Sequence, residues 1–356
     1  MPNQLRSGIV GGGFIGGVHA YAVRAAGGRL TKVADHSPQA ALEAAERMGA
    51  EAAADSSADL IAAEDVDVVH ICTPNATHAP LARLALEHGK AVVCEKPLAT
   101  SVGDARSLVE AARAGQAVTA VPFVYRFHPI VREVRARIAA GEAGRVWLMH
   151  GSYLQDWLSR SADTNWRMDP KLGGASRAFG DVGVHWCDLM EFATGQRIVR
   201  LCARAGSAFA ERSGTEDGAV VMFETDAGGT GSVVVSQVSP GRKNRLWFSF
   251  DGTDASYAFD QERPDQVWVG RRDENRIVLR DPNTLDATAR RLARLPAGHP
   301  QGYQDAFSAF VADVYAAVRG QKPDGLPTFD DGLRAAAITE AVVTSSASST
   351  WTEVRV

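Results

Sequence analysis

The chain lacks the features that mark several large protein classes. Its four cysteines, Cys72, Cys94, Cys187 and Cys202, are spread over 356 residues with no C-x-x-C pair. That argues against a disulfide framework or a zinc ribbon and leaves reduced core thiols. Lysine and arginine number 38 against 42 aspartates and glutamates, for a formal net charge of −4. There is no overall basic excess to hold nucleic acid or an anionic membrane surface. No apolar run approaches the roughly 20 residues that cross a bilayer. The start, Met-Pro-Asn-Gln-Leu-Arg, leads straight into an apolar run without the segments of a signal peptide. Repeats, low-complexity tracts and long linkers are absent too. A cytoplasmic protein of two domains is expected, since 45% hydrophobic and 22% charged content is that of an ordinary globular chain.

What the chain does contain is organised around Ser7-Gly8-Ile9-Val10-Gly11-Gly12-Gly13-Phe14-Ile15-Gly16. A short apolar run meets a glycine turn, and an apolar helical pattern follows through Val18, Tyr21, Ala22 and Ala25. G-x-G-x-x-G between a strand and a helix is the form of a dinucleotide-binding loop. Gly11 would permit the turn, Gly13 would let backbone approach a pyrophosphate, and Gly16 would allow close strand–helix packing. Free N–H groups at the helix start would then face the phosphates. Phe14 and Ile15 complete the cofactor-binding candidates of this loop.

A second short strand, Leu30 to Ala34, ends at Asp35. This acid lies about 20 residues beyond the loop, where a dinucleotide fold places the carboxylate that binds the ribose hydroxyls. A solvated turn residue is the bland alternative, and the glycine loop tips the balance toward the functional one. A carboxylate there repels a 2′-phosphate and points to NAD over NADP, although His36 beside it could accommodate a phosphate.

Helices at 40–48, 79–88 and 102–114 alternate with strands at 66–72, 91–94 and 117–121, implying a doubly wound parallel sheet. Beyond Pro122 the pattern changes. A helix over 130–139 and a strand over 146–153 precede a loop and helix within 155–194. Strand-like runs follow at 199–205, 219–224, 230–238, 245–250, 256–259, 267–269 and 277–279, with turns such as Asp226-Ala227-Gly228-Gly229 between them. Two helices close the chain, at 303–318 and 331–345. The fold class read from this is α/β. A Rossmann domain over 1–121 precedes an α+β domain over 122–356 with a large, mostly antiparallel open sheet. The C-terminal helix is free to pack back on the first domain. An apolar face of that sheet would need cover, so a homodimer or homotetramer through it is expected.

Glu95-Lys96-Pro97 stands at the carboxyl end of a parallel strand, where ligands of such sheets bind. Together with Gly11–Gly16, Asp35 and Thr73-Pro74-Asn75, it is similar to the Gfo/Idh/MocA family, the group of glucose–fructose oxidoreductase, inositol dehydrogenase and their relatives. The resemblance spans essentially the whole chain. It implies NAD as cofactor, with Thr73, Asn75, His78, Glu95 and Lys96 joining the loop and Asp35 in holding it. Gly180-Asp181-Val182-Gly183-Val184-His185-Trp186-Cys187-Asp188 resembles the family's D-x-G-x-H-x-x-D stretch. On one continuous helix, Asp181, His185 and Asp188 would fall at i, i+4 and i+7, on one face. The alternative is helix capping by Asp181 with a satisfied polar core. No second His or Cys stands at ligand spacing, so no metal site is expected.

The resemblance implies a catalytic set of Lys96, Asp181 and His185 around the nicotinamide. Asn165-Trp166-Arg167 resembles the family's W-R motif, which assigns Trp166 and Arg167 to the cofactor. Tyr125-Arg126-Phe127-His128-Pro129 resembles its R-F-x-P segment. Arg126, Asp156, Lys243, Asn244 and His299 are candidate substrate contacts, each equally open to a structural role. Ser176-Arg177-Ala178-Phe179 departs from the small glycine- and leucine-rich run usual before the D-x-G, which leaves the substrate unnamed. The activity expected is NAD-dependent oxidation of a secondary hydroxyl on a sugar, cyclitol or glycoside, the aminoglycoside type included. The proton acceptor could be His185 or Lys96. An NAD-dependent glycosidase working by transient C3 oxidation and a non-catalytic NAD-binding sugar sensor are the alternatives. Net NADH formation separates them.

Overall fold

In the computed structural model, which describes residues 4–212 and 214–356, the chain divides into two compact units. The first comprises residues up to 124 together with 304–336, and the second comprises 125–303 together with 337–356.

The first unit holds a six-stranded, all-parallel sheet of order β3-β2-β1-β4-β5-β6. Its strands are β1 (Arg6–Val10), β2 (Arg29–Ala34), β3 (Ala52–Ala53), β4 (Val68–Ile71), β5 (Ala91–Cys94) and β6 (Thr119–Ala120). Helices α1 (Phe14–Ala25), α2 (Pro38–Met48), α3 (Ser57–Ala62), α4 (His78–Glu87) and α5 (Val102–Ala114) connect them. This is the doubly wound Rossmann order, which reverses direction between β1 and β4. The central strands are mostly apolar because helices cover both faces; every residue of β4 is buried.

Local chemistry sets the helix starts. Ser37, Ser56 and Ser101 each accept a backbone N–H of the first turn. Ser101 Oγ also donates to Asp104, whose own N–H it accepts, a reciprocal cap. Two short elements, β3 and α3, escaped the sequence reading. Two consecutive alanines and a six-residue helix are too brief to show a period.

The second unit is built on a nine-stranded sheet of order β14-β13-β12-β11-β7-β10-β9-β8-β15. Its strands are β7 (Val146–Leu154), β8 (Ile198–Gly206), β9 (Gly218–Thr225), β10 (Thr230–Ser236), β11 (Arg245–Gly252), β12 (Ser256–Asp260), β13 (Gln266–Gly270), β14 (Asn275–Leu279) and β15 (Thr352–Glu353). All neighbours pair antiparallel except β7 and β10. Helices α6 (Pro129–Ala139), α7 (Pro170–Gly173), α8 (Val184–Thr194) and α9 (Ala287–Arg290) complete the segment before α10 (Tyr303–Val318) and α11 (Phe329–Ser348).

Alternation along the strands separates the sheet's faces. Val221, Phe223, Val233, Val235, Phe248 and Phe250 are buried, and α8 lies on their side, with Trp186 Nε1 donating to the Trp247 carbonyl at 2.9 Å. The other face carries the intervening residues, including exposed Val220, Met222, Val234, Trp268, Ile277 and Leu279.

One expectation fails in a way that matters for the site. Asp181 and His185 do not share one regular helix. Phe179–Gly183 is wound as a wide π-type turn, and α8 begins only at Val184. The extra residue per turn rotates Asp181 out of the i, i+4, i+7 register. Asp181 does not cap α8 either, since Gly183 is the N-cap and accepts no side-chain bond.

Candidate active site

In the first unit the glycine loop has the form its spacing implies. Gly11 adopts φ +103°, and a Cβ there would meet the Cys72 carbonyl group at 2.7 Å. A Cβ on Gly16 would lie 2.1 Å from the Gly11 carbonyl oxygen, so α1 can approach β1 this closely only with glycine at that position. Gly13 is the N-cap of α1; no side chain caps the first turn and no acid stands in it. A Cβ on Gly13 would project into open space. The first N–H groups of α1 are therefore available to an anion, and the dipole of the helix favours one.

Asp35 stands at the end of β2 with both carboxylate oxygens engaged. Oδ2 accepts the Gly12 N–H at 2.8 Å, and Oδ1 accepts the His36 N–H at 2.7 Å and faces His36 Nδ1 at 2.9 Å. Burial pushes this carboxyl up, but the bonds from His36 and Gly12 outweigh it and hold it below its usual value of 3.8. Arg47 reaches the Gly12 carbonyl at 2.6 Å and braces the same turn. A pyrophosphate at the helix start and a ribose diol at an ionised Asp35 are what this donor and acceptor set fits.

The loops after β4 and β5 complete this face. Thr73 Oγ1 accepts from Thr77, and Asn75 opens a single 3₁₀ turn. His78, expected as a cofactor contact, is instead buried as a strut. Its Nδ1 lies 2.7 Å from the Pro97 carbonyl and its Nε2 lies 2.8 Å from the Thr73 carbonyl. Burial lowers its pKa against those two carbonyls and Glu95. The ring ties the loop after β4 to the loop that carries Lys96. Glu95 is buried, and its Oε2 accepts the Lys96 backbone N–H at 3.1 Å.

In the second unit Asp181 Oδ2 accepts Gln237 Nε2 at 2.7 Å, and Oδ1 lies 3.5 Å from Arg167 Nε. The Arg167 guanidinium sits 4.4 Å over the Trp166 ring. His185 is buried with its ring edge-on to Tyr125 at 5.3 Å and tilted against Tyr153 at 6.3 Å. Those two phenols bond each other at 2.5 Å, and Tyr153 donates to Asn244 Oδ1 at 2.8 Å. Gln155 Nε2 donates to the same Asn244 oxygen, and Trp157 Nε1 donates to Gln155. Burial pushes Tyr125 up to about 12 and Tyr153 well above 10, so both stay protonated.

Asn244 thus belongs to a hydrogen-bond network around His185. Tyr125, Tyr153 and Gln155 join it, and Gln237 holds Asp181 nearby in the chain's second unit, without any of the four having been singled out from sequence. Tyr125 begins the Tyr125-Arg126-Phe127-His128-Pro129 segment, but Tyr153, inside β7, and Gln237, just past β10, carry no local signal.

Other candidates have different occupations. Arg126 is buried and bonds Asp188 through Nε at 2.8 Å and through a second, shorter contact, with its guanidinium over Phe192. The substrate contact expected of it is therefore replaced by a buried ion pair that fixes α8. Asp156 accepts Gly241 N–H and Lys243 Nζ, which ties down an exposed turn. His299 lies on an exposed stretch and enters the structure through its carbonyl, which accepts from Arg280. Among the described residues no cluster of metal-ligating side chains occurs, and no helix is long and apolar enough to cross a membrane.

Residues 5–123 match the family model described as the GFO/IDH/MocA oxidoreductase family, NAD-binding Rossmann fold, and residues 131–258 match the GFO/IDH/MocA C-terminal domain. The chain belongs to the Gfo/Idh/MocA oxidoreductases. Its cofactor is NAD. A levoglucosan dehydrogenase of Pseudarthrobacter phenanthrenivorans is 30% identical over 397 residues, covering 99% of this chain and 98% of that one. The solved levoglucosan dehydrogenase complex with NADH and levoglucosan superposes with a TM-score of 0.92 at 29% identity, over 99% of this chain and 100% of that one. An inositol dehydrogenase homolog from Azotobacter vinelandii, complexed with NAD+, also gives 0.92 at 29% identity, over 99% and 98% of the two chains. The family explains why glycine loop, Asp35 and Glu95-Lys96-Pro97 occur together in this oxidoreductase.

Proposed function

We propose that this Gfo/Idh/MocA oxidoreductase oxidises a secondary hydroxyl on the ring of a sugar, cyclitol or glycoside to a ketone. The observation that carries the reading is the setting of His185. A titratable imidazole lies among Tyr125 and Tyr153, whose hydroxyls lead on to Asn244 and Gln155, in a chain whose other unit is built to hold NAD. A polyhydroxylated ring is recognised by such closely set donors and acceptors. The full-length similarity to proteins named for levoglucosan and inositol supports the same class.

Bound NAD supplies the acceptor for the hydride that leaves the carbinol carbon. His185 takes the hydroxyl proton as the C–O bond becomes a carbonyl, a role suited to a group that titrates near neutrality. Lys96 polarises the same oxygen and steadies the negative charge that develops on it. Asp181, held by Gln237 and facing Arg167, acts on the base through its charge beside Tyr125 and Tyr153, the two phenols packed on His185. The product side then balances as ketone, NADH and one proton on His185.

The test is NADH formation at 340 nm with NAD and a panel of levoglucosan, myo- and scyllo-inositol, free hexoses and alkyl glycosides. Stoichiometric NADH with at least one of them is expected. Glycoside cleavage without net NADH would assign the chain to hydrolysis instead, and no turnover with tight sugar binding would make it a sensor.

A further inference from the structure

Two histidines that the proposed reaction leaves unused lie inside the first unit. His19 is on α1 and His70 on β4, and neither exposes any surface. Their Nδ1 atoms face each other at 2.9 Å, and His19 Nε2 lies 3.2 Å from Glu95 Oε1. The two rings meet edge to face, and Phe307 packs against His19.

Hydrogen-bond logic orders the protons on these rings. Two nitrogens this close hold one proton between them, because paired N–H groups clash and paired lone pairs repel. Glu95 Oε2 already accepts the Lys96 N–H, and an ionised carboxylate offers only lone pairs, so His19 Nε2 donates to Oε1. Two arrangements remain. In the first both rings are neutral, with the shared proton on His70 Nδ1 and a bare lone pair on His70 Nε2. In the second His19 is an imidazolium and His70 Nε2 carries an N–H. His70 Nε2 is buried without a hydrogen-bond partner. A buried N–H with no acceptor is rarer and costlier than an acceptor left short of a donor. Burial, with His19 acting in the same direction, also pushes the His70 imidazole well below its usual value. The neutral arrangement prevails.

We propose that His19 and His70 are positioning residues for Glu95 and Lys96: His70, held as its Nδ1–H tautomer, keeps His19 neutral with its Nε2–H on Glu95. The carboxylate next to Lys96 is thereby fixed and kept ionised. The proposal rests on the reading of Lys96 as the group that polarises the substrate oxygen. Titratable groups on which Glu95 acts include Cys72 and Cys94 at the ends of β4 and β5 and His78 on α4, with Lys96 next to it in the chain. Burial pushes both thiols well up, so neither adds charge. The proton on the histidine pair is then what sets the field that Glu95 delivers to Lys96.

The resting enzyme tests this by two-bond ¹H–¹⁵N NMR of ring-labelled histidine, with His19→Gln and His70→Asn used for assignment. At pH 7 His19 should appear as a neutral Nε2–H ring and His70 as a neutral Nδ1–H ring. An Nε2–H tautomer at His70, or an imidazolium at His19, overturns the proposal. Kinetics supply the second readout. His70→Asn keeps a donor near the Nδ1 position and should hold kcat within about twofold, whereas His70→Leu should lower it about tenfold, the scale of one buried hydrogen bond. Equal losses in both, or none in the leucine variant, overturn it as well. Lys96→Ala measured alongside separates the two levels. If Lys96→Ala keeps full turnover, the reading of Lys96 fails and takes the proposal with it. If only Lys96→Ala is impaired, the histidine pair alone is refuted.

Discussion

Gln237 Nε2 donates to Asp181 Oδ2 at 2.7 Å, joining the end of β10 to the π-type turn that precedes α8. A regular helix would carry Asp181 round to the His185 face. The wide turn lets the carboxylate meet a fully buried amide instead. Replacing that amide with leucine should leave Asp181 without its buried donor and lower kcat about tenfold, with NAD affinity unchanged by calorimetry. Gln237→Glu should behave differently. Two carboxyls at this distance share one proton at low pH and repel when both ionise. The deficit in kcat should therefore grow as pH rises from 6 to 9, and a pH-independent deficit would mean that Gln237 is only packing.

Asp35 governs cofactor choice. Its carboxyl is held below 3.8 by the bonds from His36 and Gly12, which outweigh burial, so it stays ionised through the working range. A 2′-phosphate placed there meets a negative charge at every pH above the folded value. The ratio of kcat/KM for NAD over NADP should stay above one at pH 5.5 and be larger at pH 8, where the 2′-phosphate carries its second negative charge. Asp35→Ser should narrow it. A preference that collapses at pH 5.5 in the wild-type enzyme would put the discrimination elsewhere.

Arg126 and Asp188 form an ion pair with both side chains almost fully buried. Removing one partner strands the other charge in the interior, at a cost of about 3–5 kcal/mol. Arg126→Ala and Asp188→Ala should each lower Tm by many degrees, while the Arg126→Ala, Asp188→Ala double variant should lose less than the sum. A normal Tm with a raised substrate KM in Arg126→Ala would restore Arg126 to the substrate.

The first unit was largely legible in the sequence because its signals are local. The glycine loop, the buried and largely apolar run at Val68–Ile71 and the serine caps each act within a few residues. The antiparallel strands were legible by alternation, within a residue or two at most ends. The site of the second unit was less so. His185 stood out through its motif, but its aromatic neighbours Tyr125 and Tyr153 come from segments joined only by the sheet. Arg126 looked available because a sequence does not reveal that Asp188, far along the chain, takes its donors. His70 did leave a trace, as the one polar residue in a strand buried throughout.

The open face of the nine-stranded sheet bears Val220 and Met222 on β9, Val234 on β10 and Trp268 on β13, all substantially exposed. Apolar area of this kind on a regular sheet normally meets a partner. A second copy of the chain is the expected partner, giving a dimer or tetramer by light scattering at micromolar concentration. Met222→Glu with Val234→Lys should shift the assembly toward monomer without changing far-UV dichroism. A wild-type monomer at that concentration would refute the expectation.

The decisive test of the chemistry is the pair Lys96 and His185. If both act on the reacting oxygen, each alanine variant should fold normally and lose turnover. Removing a general base costs ~10²–10⁴-fold in rate. His185→Ala should bind NAD with near-native affinity, because His185 belongs to the second unit and the glycine loop and Asp35 to the first. Lys96→Ala should lose part of its NAD affinity as well, since Lys96 follows β5 beside buried Glu95. Identity of the proton acceptor then follows from the pH profile of kcat. Loss of the base removes the acid limb, whereas loss of the polarising cation lowers the plateau and leaves that limb in place. If His185→Ala retains most of its turnover, His185 is a packed core histidine between Tyr125 and Tyr153, and the base must be sought at Lys96.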